Sequence, residues 1–506
     1  MKQDLVYKIL SDLQSQHEGA ELELKKSSDE LSADFWETYS SFSNTSGGYI
    51  ILGINEKPNF EITGVTNPQK IVSDICNLAN NPEKVSQNVI ENSNIHIHDI
   101  EGKSIISVYI PELPLHKKPL YLKGNYKNTY IRKNEGDYKA TDEDLRRFLR
   151  NAQDNIDNEL LDNYTLEDLN PESVLAFKNI VHGRQPSKNF LSMENQAFLN
   201  EMGVFQIDRN DGRKFKLTLA GLLFLGNFDA ITQKIPHFHL EYINRRGITT
   251  GRWKDRVSTG DLNYPNLNLF EFHRIVLSKL RTTIEDPFEL DENSVRKSNF
   301  ELDTALRESL SNMLIHADYQ DPETMIKVTV DDLYYTFLNP GSMRISKSQF
   351  FTGGVSYPRN NTLMTFFRRI GASERSGTGG PDILKFASLN KYRLPELTTS
   401  IQSTEIKLWI AAPVDTFPEF SENTKRVFNH LNQVVNAKTS DIQKATGLSR
   451  YAIHVALNEL LAKNVITVSG KGPATKYSRT PSIMEQMSAI NFLKELIIQK
   501  HPGNQQ

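Results

Sequence analysis

LDTALRESLSNMLIHADY, residues 302–319, is written with the period of an α-helix. Leu306, Leu310, Met313 and Leu314 repeat at the three- and four-residue spacing that lines apolar side chains along one stripe. Glu308, Asn312 and His316 recur at i, i+4 and i+8, so they share a polar ridge beside that stripe. Such a ridge is also what an ordinary solvated helix face looks like. The downstream sequence argues for more. Two strands follow, MIKVTVDD (325–332) and LYYTFLNPG (333–341), and the second ends in Asn339-Pro340-Gly341. Gly377-Thr378-Gly379-Gly380 then leads into a helix expected to begin at Pro381, a favoured first-turn position. A glycine-rich loop at a helix N-terminus offers free backbone N–H groups and the positive dipole end to phosphate.

Outward from this stretch, the chain is 506 residues long, enough at roughly 150 residues per domain for three or four domains. Charged residues make up 24% and hydrophobic residues 38%, a globular balance rather than a disordered one. Lys and Arg number 59 against 62 Asp and Glu, which excludes a globally basic coat but leaves room for local basic patches. Cys76 is the single cysteine, so no intrachain disulfide and no Cys-based zinc cluster can form. No apolar run approaches the roughly 18 residues of a membrane span, and the opening MKQDLVYKILSDLQ is an acid-bearing amphipathic helix, not a signal core. The expectation is a cytoplasmic protein without membrane contact, of mixed α/β (α+β) multidomain architecture.

Residues 1–155 read as one α/β domain: a helix over DFWETYSSFSNT (34–45) and strands over YIILGI (49–54), IHIHDI (95–100), SIISVYIP (104–111) and TYIRK (129–133). The helix TDEDLRRFLRNAQ (141–153) opens on Thr141 with Asp144 three residues on, a near capping box. Glu18, Glu21, Glu23 and Lys25 crowd the start. Clustered carboxylates can hold a divalent metal that activates water, with Lys25 beside a phosphate, and they can equally form a solvated acidic edge strand. Residues 156–300 read as a connecting region, in which LTLAGLLFLGNF (217–228) suits a core and Gly251-Arg252-Trp253 suits a loop.

Glu18 and Glu23, then SFSNTSGGYIILGINE (41–56), then YIRKNEGDYKATDEDL (130–145), together resemble the Schlafen AlbA_2 family over about residues 15–152. The resemblance implies a nucleic-acid-binding module, with Lys25 and Arg132 near the nucleic acid. Some Schlafen members are metal-dependent endoribonucleases, which implies Glu18 and Glu23 as catalytic metal ligands. The family's third carboxylate falls at Asn55, a weaker ligand, with Glu56 next to it as a substitute. Asn44 and Gly47-Gly48 match the family's turn. The helix, strands and GTGG loop of residues 301–415 resemble the GHKL ATPase fold in the divergent form found fused behind AlbA_2 domains. That resemblance implies ATP with Mg²⁺ (or Mn²⁺) as cofactors. Asn312 would hold the metal, Glu308 would act on the attacking water, and His316 would belong to the same site. Asn339 and Gly341 would approach the adenine, and Gly377, Thr378 and Gly379 the phosphates. Asn339 stands where the family has an aspartate.

The stretch 439–479 reads as helix, turn at Gly447, second helix and two-strand ribbon, and 416–481 resembles a winged helix-turn-helix. Arg450 and Tyr451 would face nucleic acid, with Lys471, Lys476 and Arg479 on the wing against phosphates. Residues 482–506 carry one more amphipathic helix. The whole implies an ATP-binding, nucleic-acid-binding transcription regulator, compatible with a homo-oligomer. The alternative is a Schlafen-like, ATP-controlled nuclease in antiviral defence.

Overall fold

The computed structural model describes residues 21–27, 29–32, 34–55, 61–100, 102–133, 136–248, 250–284, 300–373, 377–434, 436–463, 465–469 and 475–480. Glu18, Glu56, Lys471 and the helices expected over 1–15 and 482–500 lie outside these residues.

In the first domain, β1 (Glu21–Lys25), α1 (Phe35–Asn44), β2 (Gly48–Leu52), α2 (Pro68–Ala79), β3 (Ile95–Ile100) and β4 (Lys103–Ile110) build a four-stranded sheet with helices on it. Its order is β1-β2-β4-β3, with β1 parallel to β2 and the other pairs antiparallel. β2 is buried at every position because both its faces are covered. Ile50 and Leu52 pack with Phe35, Tyr39 and Phe42 of α1 on one side. Tyr49 and Ile51 pack with Ile54, Ile100 and Ile105 on the other. The strand expected over 49–54 stops at Leu52, because Gly53 turns the chain at φ +94°. A Cβ there would lie 3.1 Å from the Gly64 carbonyl carbon. The hairpin β5 (Tyr130–Lys133) and β6 (Gly136–Lys139) leads to α3 (Asp142–Ala152). The capping box forms as expected: Thr141 Oγ1 accepts from the Asp144 N–H at 3.1 Å, and Asp144 accepts from the Thr141 N–H at 3.0 Å.

Beyond it come α4 (Pro171–Arg184), β7 (Phe205–Asp208), β8 (Lys214–Thr218) and α5 (Leu219–Leu225), a helix buried at all seven positions. The largest sheet is built from β9 (Leu240–Asn244), β10 (Asp255–Ser258), β11 (Ile326–Val330), β12 (Tyr334–Pro340), β13 (Glu396–Thr399) and β14 (Ser403–Trp409). Its order is β10-β9-β11-β12-β14-β13. Only β9 and β11 pair in parallel, Leu240 beside Ile326, and the crossover between them carries α6 (Leu269–Thr282) and α7 (Phe300–His316). With α8 (Asn361–Arg369) and α9 (Gly379–Leu389), these helices share one hydrophobic core running in sequence from Leu161 to Leu408. The sheet therefore begins well ahead of residue 301. The stretch treated as a connector supplies β9 and β10 of this sheet, α6 of its crossover and part of the core.

Last, α10 (Glu422–Gln433), α11 (Thr439–Thr446), α12 (Arg450–Ala462) and the antiparallel pair β15 (Ile466–Ser469) and β16 (Lys476–Arg479) close on a separate core that includes Val427, Phe428, Ile442, Ile453 and Leu457. No described helix is long and apolar enough to cross a membrane.

Candidate functional site

α7 presents Glu308, Asn312 and His316 to a pocket whose floor includes Phe337 and Asn339 of β12 and Thr404 and Ile406 of β14. Gly377 and Gly379 close the pocket from the start of α9. That helix starts at Gly379, two residues ahead of the expected Pro381, so the proline occupies its first turn where no N–H is missed. A Cβ on Gly379 would lie 2.9 Å from Asn312 Nδ2 and 3.2 Å from Glu308 Oε2. Only a bare α-carbon brings this helix end so close to the polar ridge.

Glu308 is buried, and Arg307 donates to its Oε1 at 3.1 Å. Burial, with Arg359 and Arg344 nearby, pushes the His316 imidazole down to about 4, so it is neutral at pH 7. Asn339 donates to the Pro340 carbonyl at 2.9 Å. Gly341 is not among the described lining residues; its α-carbon faces Arg359, whose Nη2 would lie 2.8 Å from a Cβ there. Thr378 takes the N-cap position of α9 and is likewise not among the lining residues.

Several lining residues were not anticipated. Ser309 and Ser342 have buried hydroxyl oxygens with no partner among the described residues, and both line the pocket. Ser309 stands three residues before Asn312 on the same helix face, so its spacing was a usable signal. An amide, a carboxylate, two unpaired hydroxyls and a helix N-terminus form a donor set that fits a polyphosphate carrying a divalent cation.

Arg344 and Tyr357 also line the pocket, and both reach out of it to Asp154, just past α3. Arg344 Nη1 donates to Asp154 at 2.7 Å and the Tyr357 hydroxyl donates at 2.8 Å. The Tyr357 hydrogen bond, ahead of the Arg344 charge, holds the Asp154 carboxyl below its usual value. Deeper in this junction, Arg147 Nε donates to Asp321 at 2.7 Å and Arg150 Nε to Asp318 at 2.8 Å. Asp157 Oδ2 accepts from the Leu363 N–H at 2.8 Å, capping α8 from outside. The first domain is thus pinned to the walls of the pocket.

In the first domain, Glu23 accepts from Arg132 Nη2 at 2.9 Å and from Lys25 Nζ at 3.4 Å. Lys25, 5% exposed, also donates to Asp34 at 2.6 Å, and Arg132 to Asp137 at 3.0 Å. The two cations expected at nucleic acid are therefore engaged by carboxylates of their own domain. Among the described residues no group of three or more His, Cys, Asp or Glu could hold a metal. Asn44 is buried: its amide donates to the Leu120 and Tyr130 carbonyls at 2.9 and 3.0 Å, tying α1 to Leu120 and to the start of β5.

In the C-terminal unit, Gly447 turns the chain at φ +68° and Ser449 Oγ accepts from the Ala452 N–H at 3.2 Å, capping α12. Ile453, Leu457 and Leu460 are buried, whereas Arg450 and Tyr451 are exposed at the start of the same helix. Lys476 and Arg479 lie on β16.

Residues 18–141, most of the first domain, match the family described as Schlafen, AlbA_2. Residues 146–241 match a domain of unknown function, DUF8451, which spans from α3 to β9. Similar solved structures include the DIP2311 protein from Corynebacterium diphtheriae, with 14% identity and a TM-score of 0.36 over 95% of this chain and 100% of that one. The N-terminal domain of a RecG-related protein from Nitrosomonas europaea is 24% identical, with a TM-score of 0.19 over 26% of this chain and 92% of that one. BpsR of Bordetella bronchiseptica is 19% identical, with a TM-score of 0.12 over 18% of this chain and 77% of that one. At these scores the superpositions define no shared fold. No curated protein matches the chain.

Proposed function

We propose that this protein is an ATP-responsive, nucleic-acid-binding regulator. In this reading a GHKL-like nucleotide site couples the AlbA_2 domain to a C-terminal winged helix. The observation that carries it is the double engagement of Arg344 and Tyr357, which line the pocket and hold Asp154 beside the first domain's last helix. A ligand that shifts either side chain changes how the AlbA_2 domain is held. Bound Mg-ATP would supply the phosphate charge to which the site responds. Asn312 would hold the metal, the N–H groups of the Gly377–Gly379 turn would meet phosphate, and Asn339 would meet the base. Glu308, with one oxygen held by Arg307, is better placed to orient water than to take its proton. The exposed Arg450 and Tyr451 on α12, with Lys476 and Arg479 on the ribbon, fit a helix-and-wing contact. In the AlbA_2 domain the engagement of Glu23 by Arg132 and Lys25 favours binding over cleavage.

The test uses the full chain with labelled tRNA and DNA, with and without Mg-ATP. We expect ATP to change nucleic-acid affinity at least about fivefold, Asn312→Ala to bind no ATP, and Asp154→Ala to bind ATP but lose the coupling. Equal calorimetric ATP affinity in Asn312→Ala and wild type overturns the nucleotide site. The same mixtures with Mn²⁺ should leave the nucleic acid intact; cleavage that vanishes in Glu23→Ala would make the first domain a nuclease.

A further inference from the structure

A second cleft, of about 640 Å³, opens where α4 and α8 end, away from the chemistry of Glu308 and Asn312. Arg184, Lys188, Arg368 and Arg369 line it, with Glu201 as its one lining carboxylate. Lys188 Nζ takes up Glu201 at 2.8 Å. Arg369 is half-buried, and its guanidinium donates to the Met202 carbonyl. Among the described residues neither Arg184 nor Arg368 has a side-chain hydrogen bond or ion pair, and both are exposed. Arg184 lies against Gly371, at φ +74°, where any Cβ would overlap its guanidinium. Glycine at that turn makes the room in which Arg184 lies.

An ordinary reason for cations here is the pair of helix C-termini, each carrying about half a negative charge. Two ends offset about one of the four positive charges, and Glu201 offsets another. About two positive charges are left over in a concave, polar setting. Thr365 and Arg368 also line an adjoining cleft with Asn155 and Asn361, which lengthens the polar surface. Guanidinium forks without a carboxylate match phosphate, whose oxygens accept two parallel N–H bonds.

We propose that this cleft is a phosphate-binding site, separate from the pocket on α7, that takes either a free pyrophosphate-type group or the backbone of a nucleic acid. The one turn of α8 that carries Thr365 and Arg368 into the cleft also puts Met364 into the α7 pocket, so the two sites share a helix. The proposal stands whether or not the first pocket binds ATP.

Calorimetric titration of the full chain with inorganic pyrophosphate at low salt tests it, in an Asn312→Ala background that disables the other pocket. Binding should survive Asn312→Ala and weaken at least tenfold when Arg184→Ala and Arg368→Ala are added. Arg368→Gln alone, a change at an exposed side chain, should weaken it less, and urea midpoints check that each variant is folded. A labelled 20-nucleotide single strand distinguishes the sources. If it competes with pyrophosphate and loses affinity in the double variant, the ligand is a backbone; if it does neither, the ligand is a free phosphate. Pyrophosphate affinity unchanged by the arginine substitutions, or abolished by Asn312→Ala alone, overturns the proposal.

Discussion

Replacing Arg147 by Met removes the charge at the centre of the junction while keeping most of the side-chain length. Arg147 is 2% exposed and donates to Asp321 at 2.7 Å and to Glu323 at 2.6 Å. The substitution leaves Asp321, 4% exposed, with Arg150 at 3.2 Å and the N–H groups of Glu323 and Thr324 at 3.0 Å each. Breaking a buried ion pair costs about 3–5 kcal/mol, and the partners that remain put this case near about 3 kcal/mol. Burial pushes the Asp321 carboxyl up, but Arg147 and the two N–H groups outweigh it, so the group stays below its usual value. A carboxyl with a lowered folded value stabilises above its unfolded value, about pH 4, and loses that contribution as pH falls through the folded value. Urea unfolding followed by circular dichroism should therefore show the full deficit at pH 7 and a narrowing one below about pH 4. A deficit under about 1 kcal/mol at pH 7, the scale of an exposed pair, or one that is constant with pH, refutes the clamp.

Gly379→Ala, at the first residue of α9, sets a methyl 2.9 Å from Asn312 Nδ2. Mg-ATP affinity should fall about tenfold, within the usual cost of overpacking, with little change in Tm; unchanged affinity in calorimetry contradicts the close approach. Burial raises the Asp157 carboxyl to about 6, so measured against Asp157→Asn the wild type should lose about 3 kcal/mol as pH rises from about 4 to about 6, then level off. A flat difference across that window in urea unfolding is incompatible with the buried cap. Neutralising Lys476 and Arg479 should weaken binding to all sequences and lower the log–log salt slope by about two. Arg450→Ala should instead cost about 1–3 kcal/mol at a preferred base only; fluorescence anisotropy on several duplexes separates the two.

The local features were legible because they are local. The Thr141 capping box, the apolar stripe of α7, the Gly447 turn and the Ser449 cap are each set by residues within a turn of one another. The ridge of Glu308, Asn312 and His316 was visible for the same reason, and the pocket gathers all three. What escaped depends on distance along the chain. LEYIN (240–244) is buried at every position, so it lacks the alternation that marks a half-exposed strand, and its parallel partner lies some way downstream. Arg344 and Tyr357 drew no expectation, since nothing near them in sequence announces Asp154. The partners of Lys25 and Arg132 are likewise non-local: Arg132 reaches back to Glu23 across the sheet.

The placement of β11 between a parallel and an antiparallel neighbour bears on how the chain can be divided. A fragment cut at residue 300 would strip β9 and β10 away and leave the backbone groups of Ile326–Val330 bare along one side. In the intact chain the sheet ends instead on β10, four residues long and carrying Arg256, a short charged border that discourages pairing with other molecules. The truncated piece would present a β-branched ribbon, IKVTV, to any other copy of itself. Its propensity to aggregate would then report the lost neighbour and not any weakness of the pocket on α7, and soluble fragments of this protein should begin upstream of Leu161, where the shared core starts.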